Sequence, residues 1–457
     1  MNTRVLRTEA RRSIAPWATL AILVVAFGFL YSFSGPWTKP PLAWDEHWTH
    51  AAEWSRFLLV FLWPIAIGAG VIQGMRDSRS GTVELMTTMP RPGWQRAAKL
   101  AGALGGLLAL GFLLIFAVGG VRAAFNGGFF TFGWLPIVVV GVLAMLAGAW
   151  FGLGIGRLLP HPLTAPAVAV AAFVAVLLFQ FAGAEGSVLA GIVPFRVSLL
   201  SPAMDVVRDP FKTTAGWMDL GQGVWLAGLA VTGFLLLAAR SKRAKWLAVV
   251  PALAAVVIAL PVLPGNTAEA EVSDPAATEL VCDGPVCVPR MLEAELPRLA
   301  GPGREALRLL GTLPDAPVKV AVLDRRLGYD EVPPRAADTV YVDLVDWSIR
   351  SVLNSDDMTR TLVAGSGTPT CYSPRGVNKS FLDELAARSI SASWFLGEWK
   401  VSGASWLSDD TKNEVVRKWE VFRALPPDVQ RERIIAQRRA GLTCEGDQLG
   451  ILLGGAR

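Results

Sequence analysis

Seven stretches of the chain are apolar for about the length a helix needs to cross a bilayer: Ile14–Ser34, Phe57–Met75, Leu100–Val121, Gly133–Gly156, Leu163–Ala184, Leu220–Ala239 and Trp246–Leu263. A hydrocarbon core about 30 Å thick takes roughly 20 helical residues, and a helix satisfies its own backbone there. The pattern therefore predicts seven transmembrane helices. It changes after the last of them. Pro264–Thr278, rich in Pro, Gly, Ala and Glu, reads as a linker. Beyond it the periodicity predicts helices around Pro289–Leu310, Trp347–Leu362, Lys379–Leu396, Thr411–Arg423 and Asp428–Ala440, with strands at Val318–Leu323 and Thr339–Leu344. The expected fold class is an α-helical polytopic membrane bundle over residues 1–265, followed by a mainly helical α+β domain over 266–457.

Composition agrees with this division. Of 457 residues 52% are apolar and 18% charged, against about 25% charged in soluble proteins. Residues 1–265 carry 20 Lys+Arg against 10 Asp+Glu, and residues 266–457 carry 23 against 28. The overall pI near 9.1 thus averages a basic membrane part and an acidic aqueous part, which gives no reason to expect nucleic acid as a partner. The flanks of the seven spans set an orientation. Counted with the N-terminus inside, 14 Lys and Arg fall on the cytoplasmic side and six on the other, so the positive-inside rule places residues 266–457 outside the cell. The first span is too long for a cleaved signal peptide and reads as a signal anchor.

The four cysteines, Cys282, Cys287, Cys371 and Cys444, all follow the last span, as disulfides in an oxidising compartment would. The expected pairing, one of three, joins Cys282 to Cys287 across a short Asp-Gly-Pro turn and Cys371 to Cys444. Unpaired thiols and a zinc site are the competing readings, and no histidine accompanies the cysteines. The three histidines are His47, His50 and His161, so residues 266–457 hold neither a zinc-hydrolase ligand set nor a Ser-His-Asp triad. In the first outer loop, His47 and His50 with Asp45 could hold a divalent metal if helical. The alternative makes Trp37, Trp44, Trp48 and Trp54 an interfacial aromatic belt with the histidines as polar neighbours. No catalytic residue and no metal site are expected. Ionisable residues inside the spans are nearly absent: Arg122, Arg157 and Asp219 lie at edges, and Gln73, Gln180 and Gln222 are neutral. The expectation is that energy does not enter through the membrane helices themselves.

Between the second and third spans runs Met75-Arg-Asp-Ser-Arg-Ser-Gly-Thr-Val-Glu-Leu-Met-Thr-Thr-Met-Pro-Arg-Pro-Gly-Trp-Gln-Arg-Ala-Ala-Lys99. Thr82–Met89 is a short amphipathic helix candidate, stopped by Pro90 and Pro92. Arg76, Asp77, Gly81, Thr82, Glu84, Leu85, Pro90, Arg96 and Lys99 follow in order the pattern of the cytoplasmic loop in permease subunits of type-2 ABC transporters, and at these residues the chain resembles that family. The resemblance implies a coupling helix within about residues 76–99. It would dock in a cleft of a separate ATP-binding subunit, with Arg79 and Glu84 pairing charges there and Leu85, Met86 and Met89 filling its groove. The long outer segment Glu185–Met218 stands where the family places short re-entrant helices, and Val188–Met204 fits such a pair.

No phosphate-binding loop occurs in the chain; Gly365-Ser-Gly367-Thr is the nearest glycine cluster and lacks the lysine. The resemblance therefore implies no cofactor in this chain, with ATP and Mg held by two copies of a partner ATPase. It also implies a homodimer, or a heterodimer with a second permease, in a cell membrane, exporting a drug, lipid, peptide or natural product. A seventh span and a large outer domain depart from the family's common six-span form. The rival readings are a non-transporting membrane-anchored sensor and a degenerate metallopeptidase-like receptor.

Overall fold

The computed structural model describes residues 13–40, 42–76, 93–184, 188, 192–205, 209–328, 331–353, 357–371, 379–401 and 407–455. The chain divides into two compact units, Met1–Arg208 with Lys212–Ser273, and Asp209–Phe211 with Asp274–Arg457.

The first unit is a helical bundle. Its described helices are α1 (Ala15–Ser32), α2 (Trp48–Phe57), α3 (Leu59–Gly74), α4 (Gly93–Phe125), α5 (Trp134–Leu158), α6 (Thr164–Gly183), α7 (Gly216–Ala238), α8 (Lys242–Leu247) and α9 (Val250–Val262). Six segments are long and apolar enough to cross a membrane: α1, α4, α5, α6, α7 and the α8–α9 run. The bent pair α2–α3 makes seven if its two helices, inclined by 52°, are one span. At 33 residues, α4 extends roughly 50 Å, well beyond the hydrocarbon thickness. The expected linker is folded instead: strand β1 (Lys212–Thr214) pairs antiparallel with β2 (Glu271–Ser273), in the register Lys212 to Ser273. Asn266 caps the single turn Thr267–Ala270 that leads into β2. The chain after α9 thus returns to the segment ahead of α7, and the first unit closes at Ser273.

Burial along α5 explains how the bundle holds together. Lipid tails are as apolar as leucine, so helices in a bilayer associate through close packing and polar contacts. A Cβ added to Gly70 or Gly74 of α3 would collide with the Ala149 or Leu153 carbonyl of α5. One added to Gly152 or Gly156 of α5 would collide with the Ile67 or Val71 carbonyl of α3. Two four-residue glycine repeats therefore face each other and bring the backbones into contact. On another side of α5, Gly233 of α7 meets the Trp150–Phe151 backbone, and Gly154 meets Gly233.

The second unit carries a four-stranded sheet, β3 (Leu280–Asp283), β4 (Val286–Pro289), β5 (Lys319–Val322) and β6 (Thr339–Val342), in that spatial order. β3 and β4 form an antiparallel hairpin with Cys282 directly opposite Cys287. Its turn starts at Gly284 with φ of +60° and continues at Pro285, the pattern that matches strand twist. β4, β5 and β6 run parallel. Between β4 and β5, helix α10 (Leu296–Leu310) packs so closely on the sheet that a Cβ on Gly303 would lie 2.7 Å from Val286. The hairpin was not expected, because Val281, Val286 and Val288 alternate over too short a run.

Helices α11 (Asp357–Val363), α12 (Lys379–Leu396), α13 (Asp409–Arg423), α14 (Pro427–Thr443) and α15 (Gln448–Leu453) complete the unit. The expected continuous helix at Trp347–Leu362 is instead two pieces, Trp347–Arg350 and α11, with 354–356 outside the described residues. The glycine cluster Gly365-Ser-Gly367 is a left-handed turn, with φ of +62°, +54° and +77°. Ser391 accepts a hydrogen bond from the Gly365 amide at 2.9 Å, Arg388 donates to the Thr368 carbonyl at 2.7 Å and Arg438 to the Ser366 carbonyl at 2.6 Å. Burial lowers the guanidinium values of Arg388 and Arg438 from their ordinary range. Their work here is structural, holding carbonyls that water does not reach.

Disulfides join Cys282 to Cys287 and Cys371 to Cys444. By chain entropy, a loop of 73 residues is worth roughly 4 kcal/mol and one of five residues roughly 2. Replacing both Cys371 and Cys444 by serine is expected to lower the denaturant midpoint of the second unit about twice as far as replacing Cys282 and Cys287, read by proteolysis of the full chain in micelles. Gly152→Val is expected to destabilise the bundle by more than 1 to 3 kcal/mol, the usual cost of overpacking, because backbone must move. The thermal midpoint of the detergent-solubilised protein checks it.

Candidate functional site

The most concentrated buried chemistry among the described residues lies at one end of the first unit, built by α2, the β1–β2 pair and the start of α7. On α2, His50, Glu53 and Arg56 recur every third residue and fall on one helix face. Each is at most 1% exposed. Arg56 donates to Asp219 Oδ1 at 2.9 Å, to the Gln222 side-chain oxygen, and through Nε to the Pro202 carbonyl at 3.4 Å. The other Asp219 oxygen accepts from the Thr214 hydroxyl at 2.9 Å. Thr214 ends β1, and Asp219 lies in the first turn of α7. The β1–β2 pairing thus sets the hydroxyl against the carboxylate.

Gln222 extends the network by donating to the Leu199 and Ser201 carbonyls at 2.9 and 3.1 Å, and Trp225 donates to the Leu200 carbonyl at 2.9 Å. Four successive residues, 199 to 202, are therefore held by side chains of α2 and α7. Of the expected pair of re-entrant helices over Val188–Met204, the described residues include a single-turn helix, Phe195–Ser198. Residues 185–187, 189–191 and 206–208 lie outside the described residues.

Of the tryptophans expected as a belt, Trp37 and Trp48 are half-buried and two are packed inside the bundle. Trp44 and Trp54 are buried, and Gly119 and Gly120 of α4 leave room for the rings of Trp44 and Trp48. Trp48 meets Trp134 at 5.9 Å, Phe116 meets Trp134 at 4.9 Å, and Trp37 meets Trp54 at 5.5 Å. Arg122 pairs with Asp45 at 2.8 Å. His47 Nδ1 accepts from the Phe129 amide at 3.2 Å, and the His47 and His50 rings lie 5.5 Å apart. The described residues gather no group of three His, Cys, Asp or Glu side chains that could hold a metal ion.

The segment expected to form a coupling helix joins the other ends of α3 and α4, and of it only Arg76 and residues 93–99 are described. Arg76 is exposed just beyond α3, and Arg96 is half-buried in the first turns of α4. Gly93, the first residue of α4, lies beside the Arg240 guanidinium that follows α7. Arg79, Gly81, Thr82, Glu84, Leu85, Met86, Met89 and Pro90 lie outside the described residues.

The sequence placed Asp219 at a helix edge and Arg56 among the flanking charges, and gave Glu53 no role. A break at Leu58 turns α2 into the bundle, which a hydropathy window cannot register. One signal was present: His47, His50, Glu53 and Arg56 sit at a uniform spacing of three, a polar stripe among tryptophans and alanines. In the second unit, a cavity of about 190 Å³ is lined by Leu313, Asp315, Ile435 and Arg438 among others. Two Arg438 nitrogens are already engaged with carbonyls of Ser366, Ala337 and Asp315.

What these features define is a largely helical protein with several helices apolar enough to span a membrane, a small sheet and two disulfides. No family model, curated protein or solved structure matches the chain.

Arg56→Met strands Asp219 without its cation, and breaking a buried pair in this way costs about 3 to 5 kcal/mol. Adding Asp219→Leu is expected to recover most of the lost thermal stability in detergent. A double variant no more stable than Arg56→Met would show that the pair is not the main partner of either side chain.

Proposed function

We propose that the chain is the membrane-spanning subunit of an ATP-driven exporter of the type-2 ABC class, working with a separate ATPase. The observation that carries this reading is the ordered match from Arg76 to Lys99, in a segment that joins two apolar helices, α3 and α4. A short lever between two membrane helices transmits a partner's closure when its docked face is stiff and partly buried. Glu84 and Arg79 supply charges for that contact, and Leu85, Met86 and Met89 its apolar side.

Charge placement supports the topology. The end of the bundle bearing Arg76, Arg96 and Arg240 is cytoplasmic by the positive-inside rule, and the second unit, with its disulfides, is extracytoplasmic. ATP and Mg belong to two copies of the partner ATPase, and two membrane subunits, alike or different, form the pathway. The Arg56–Asp219 cluster then lies toward the outer face, where it ties residues 199–202 to α2 and α7 and holds that end of the bundle shut.

Co-purification from the native cell tests the reading. A nucleotide-binding subunit is expected in stoichiometric amount with the wild-type chain, and Glu84→Arg is expected to reduce its recovery at least tenfold. An ATPase retained equally by the variant removes the proposed docking contact; a chain that brings down no ATPase at all removes the exporter assignment.

A further inference from the structure

In the cluster on α2, two charges have partners and one does not. Arg56 is engaged by Asp219, Gln222 and the Pro202 carbonyl, and Asp219 by Arg56 and Thr214. Glu53 stands one turn from Arg56 on the same helix. It is fully buried, and neither of its carboxyl oxygens is reached by a hydrogen-bond donor among the described residues. The charged groups that act on it are Glu271 of β2, Asp219 of α7 and Arg56 of its own helix. His50 lies one turn away in the other direction.

An ionised Glu53 would add a second buried carboxylate to a single guanidinium whose donors are already directed elsewhere. A buried anion without hydrogen bonds is among the costliest arrangements in a protein interior. Some positive group must therefore meet it. A metal ion would draw on several ligating side chains, and the described residues gather no such set. A proton needs only the carboxyl oxygen itself.

We propose that Glu53 is a proton-binding site of the membrane unit, held as a neutral carboxylic acid beside the Arg56–Asp219 pair. When water reaches the site, the acid gives its proton to water, and the carboxylate that forms competes with Asp219 for Arg56. Release of the proton thereby loosens the contact between α2 and α7, and its return restores that contact. Ionisable groups buried in this way in membrane proteins commonly mark a pathway or a relay. The site is a property of this chain alone and requires no nucleotide or partner.

Infrared difference spectroscopy on the full chain in lipid nanodiscs tests it. At neutral pH the wild-type protein is expected to show the carbonyl band of a protonated carboxylic acid, shifted by deuterium exchange and by glutamate carrying ¹³C in its carboxyl group. Glu53→Gln should abolish the band. Glu53→Asp should keep a band that no longer responds to labelled glutamate. If Glu53→Gln fails to fold, the labelled wild-type protein and Glu53→Asp decide between them. No glutamate-dependent band in wild type, a band unchanged in a folded Glu53→Gln protein, or a band that appears only once sodium and potassium are withdrawn overturns the proposal. Because the measurement uses no ATPase, its outcome is separate from that of the exporter assignment.

Discussion

Backbone-to-backbone contact along α5 is the constraint on which the first unit depends. In lipid, burying leucine against leucine yields little, because both were already out of water. What remains is dispersion between closely fitted surfaces, and this rises steeply as helices approach. The facing glycines of α3 and α5, and the second contact of α5 with α7 through Gly154 and Gly233, permit that approach. Helices α6 and α9 lack a comparable share of buried surface. The bundle is thus organised from α5 outward.

Close packing in turn makes the charged cluster possible. A guanidinium and a carboxylate are buried at low cost only where the surrounding helices are fixed well enough to supply their hydrogen bonds in good geometry. Arg56 and Asp219 meet this requirement through Gln222, Thr214 and the Pro202 carbonyl. Glu53 does not meet it. Such a local conflict between burial and satisfaction is where function is most often found.

The second unit solves a different problem. Its sheet is small, with strands of four residues each, and much of its interior is polar. Ser389, Ser391, Ser393, Gln437 and Arg438 are all buried. Two disulfides and a set of arginine-to-carbonyl hydrogen bonds take the place of a larger apolar core. Arg360 follows the same pattern, donating to the Glu398 carbonyl at 3.1 Å and the Ser393 hydroxyl at 3.2 Å. The Gly365–Gly367 turn, which resembles a phosphate loop only in composition, is one of the places these arginines hold.

Hydropathy made the long apolar helices legible because the feature depends on segment length and composition alone, and each predicted span finds a helix. The strands at 319–322 and 339–342 and the helices starting at 379 and 427 were legible for the same local reason. The β1–β2 pairing, with partners 57 to 61 residues apart, and the break at Leu58 were not, since each is stabilised by groups far away in sequence; the β3–β4 hairpin was not, because its strands are too short to show alternation. The sequence by itself determined a basic apolar half, an acidic cysteine-bearing half and a loop with a recognisable order of residues. Only the tertiary structure decided that Glu53, Arg56 and Asp219 share one dry site. Burial and pairing of charge depend on which helices meet, and that follows from where glycine lets them touch.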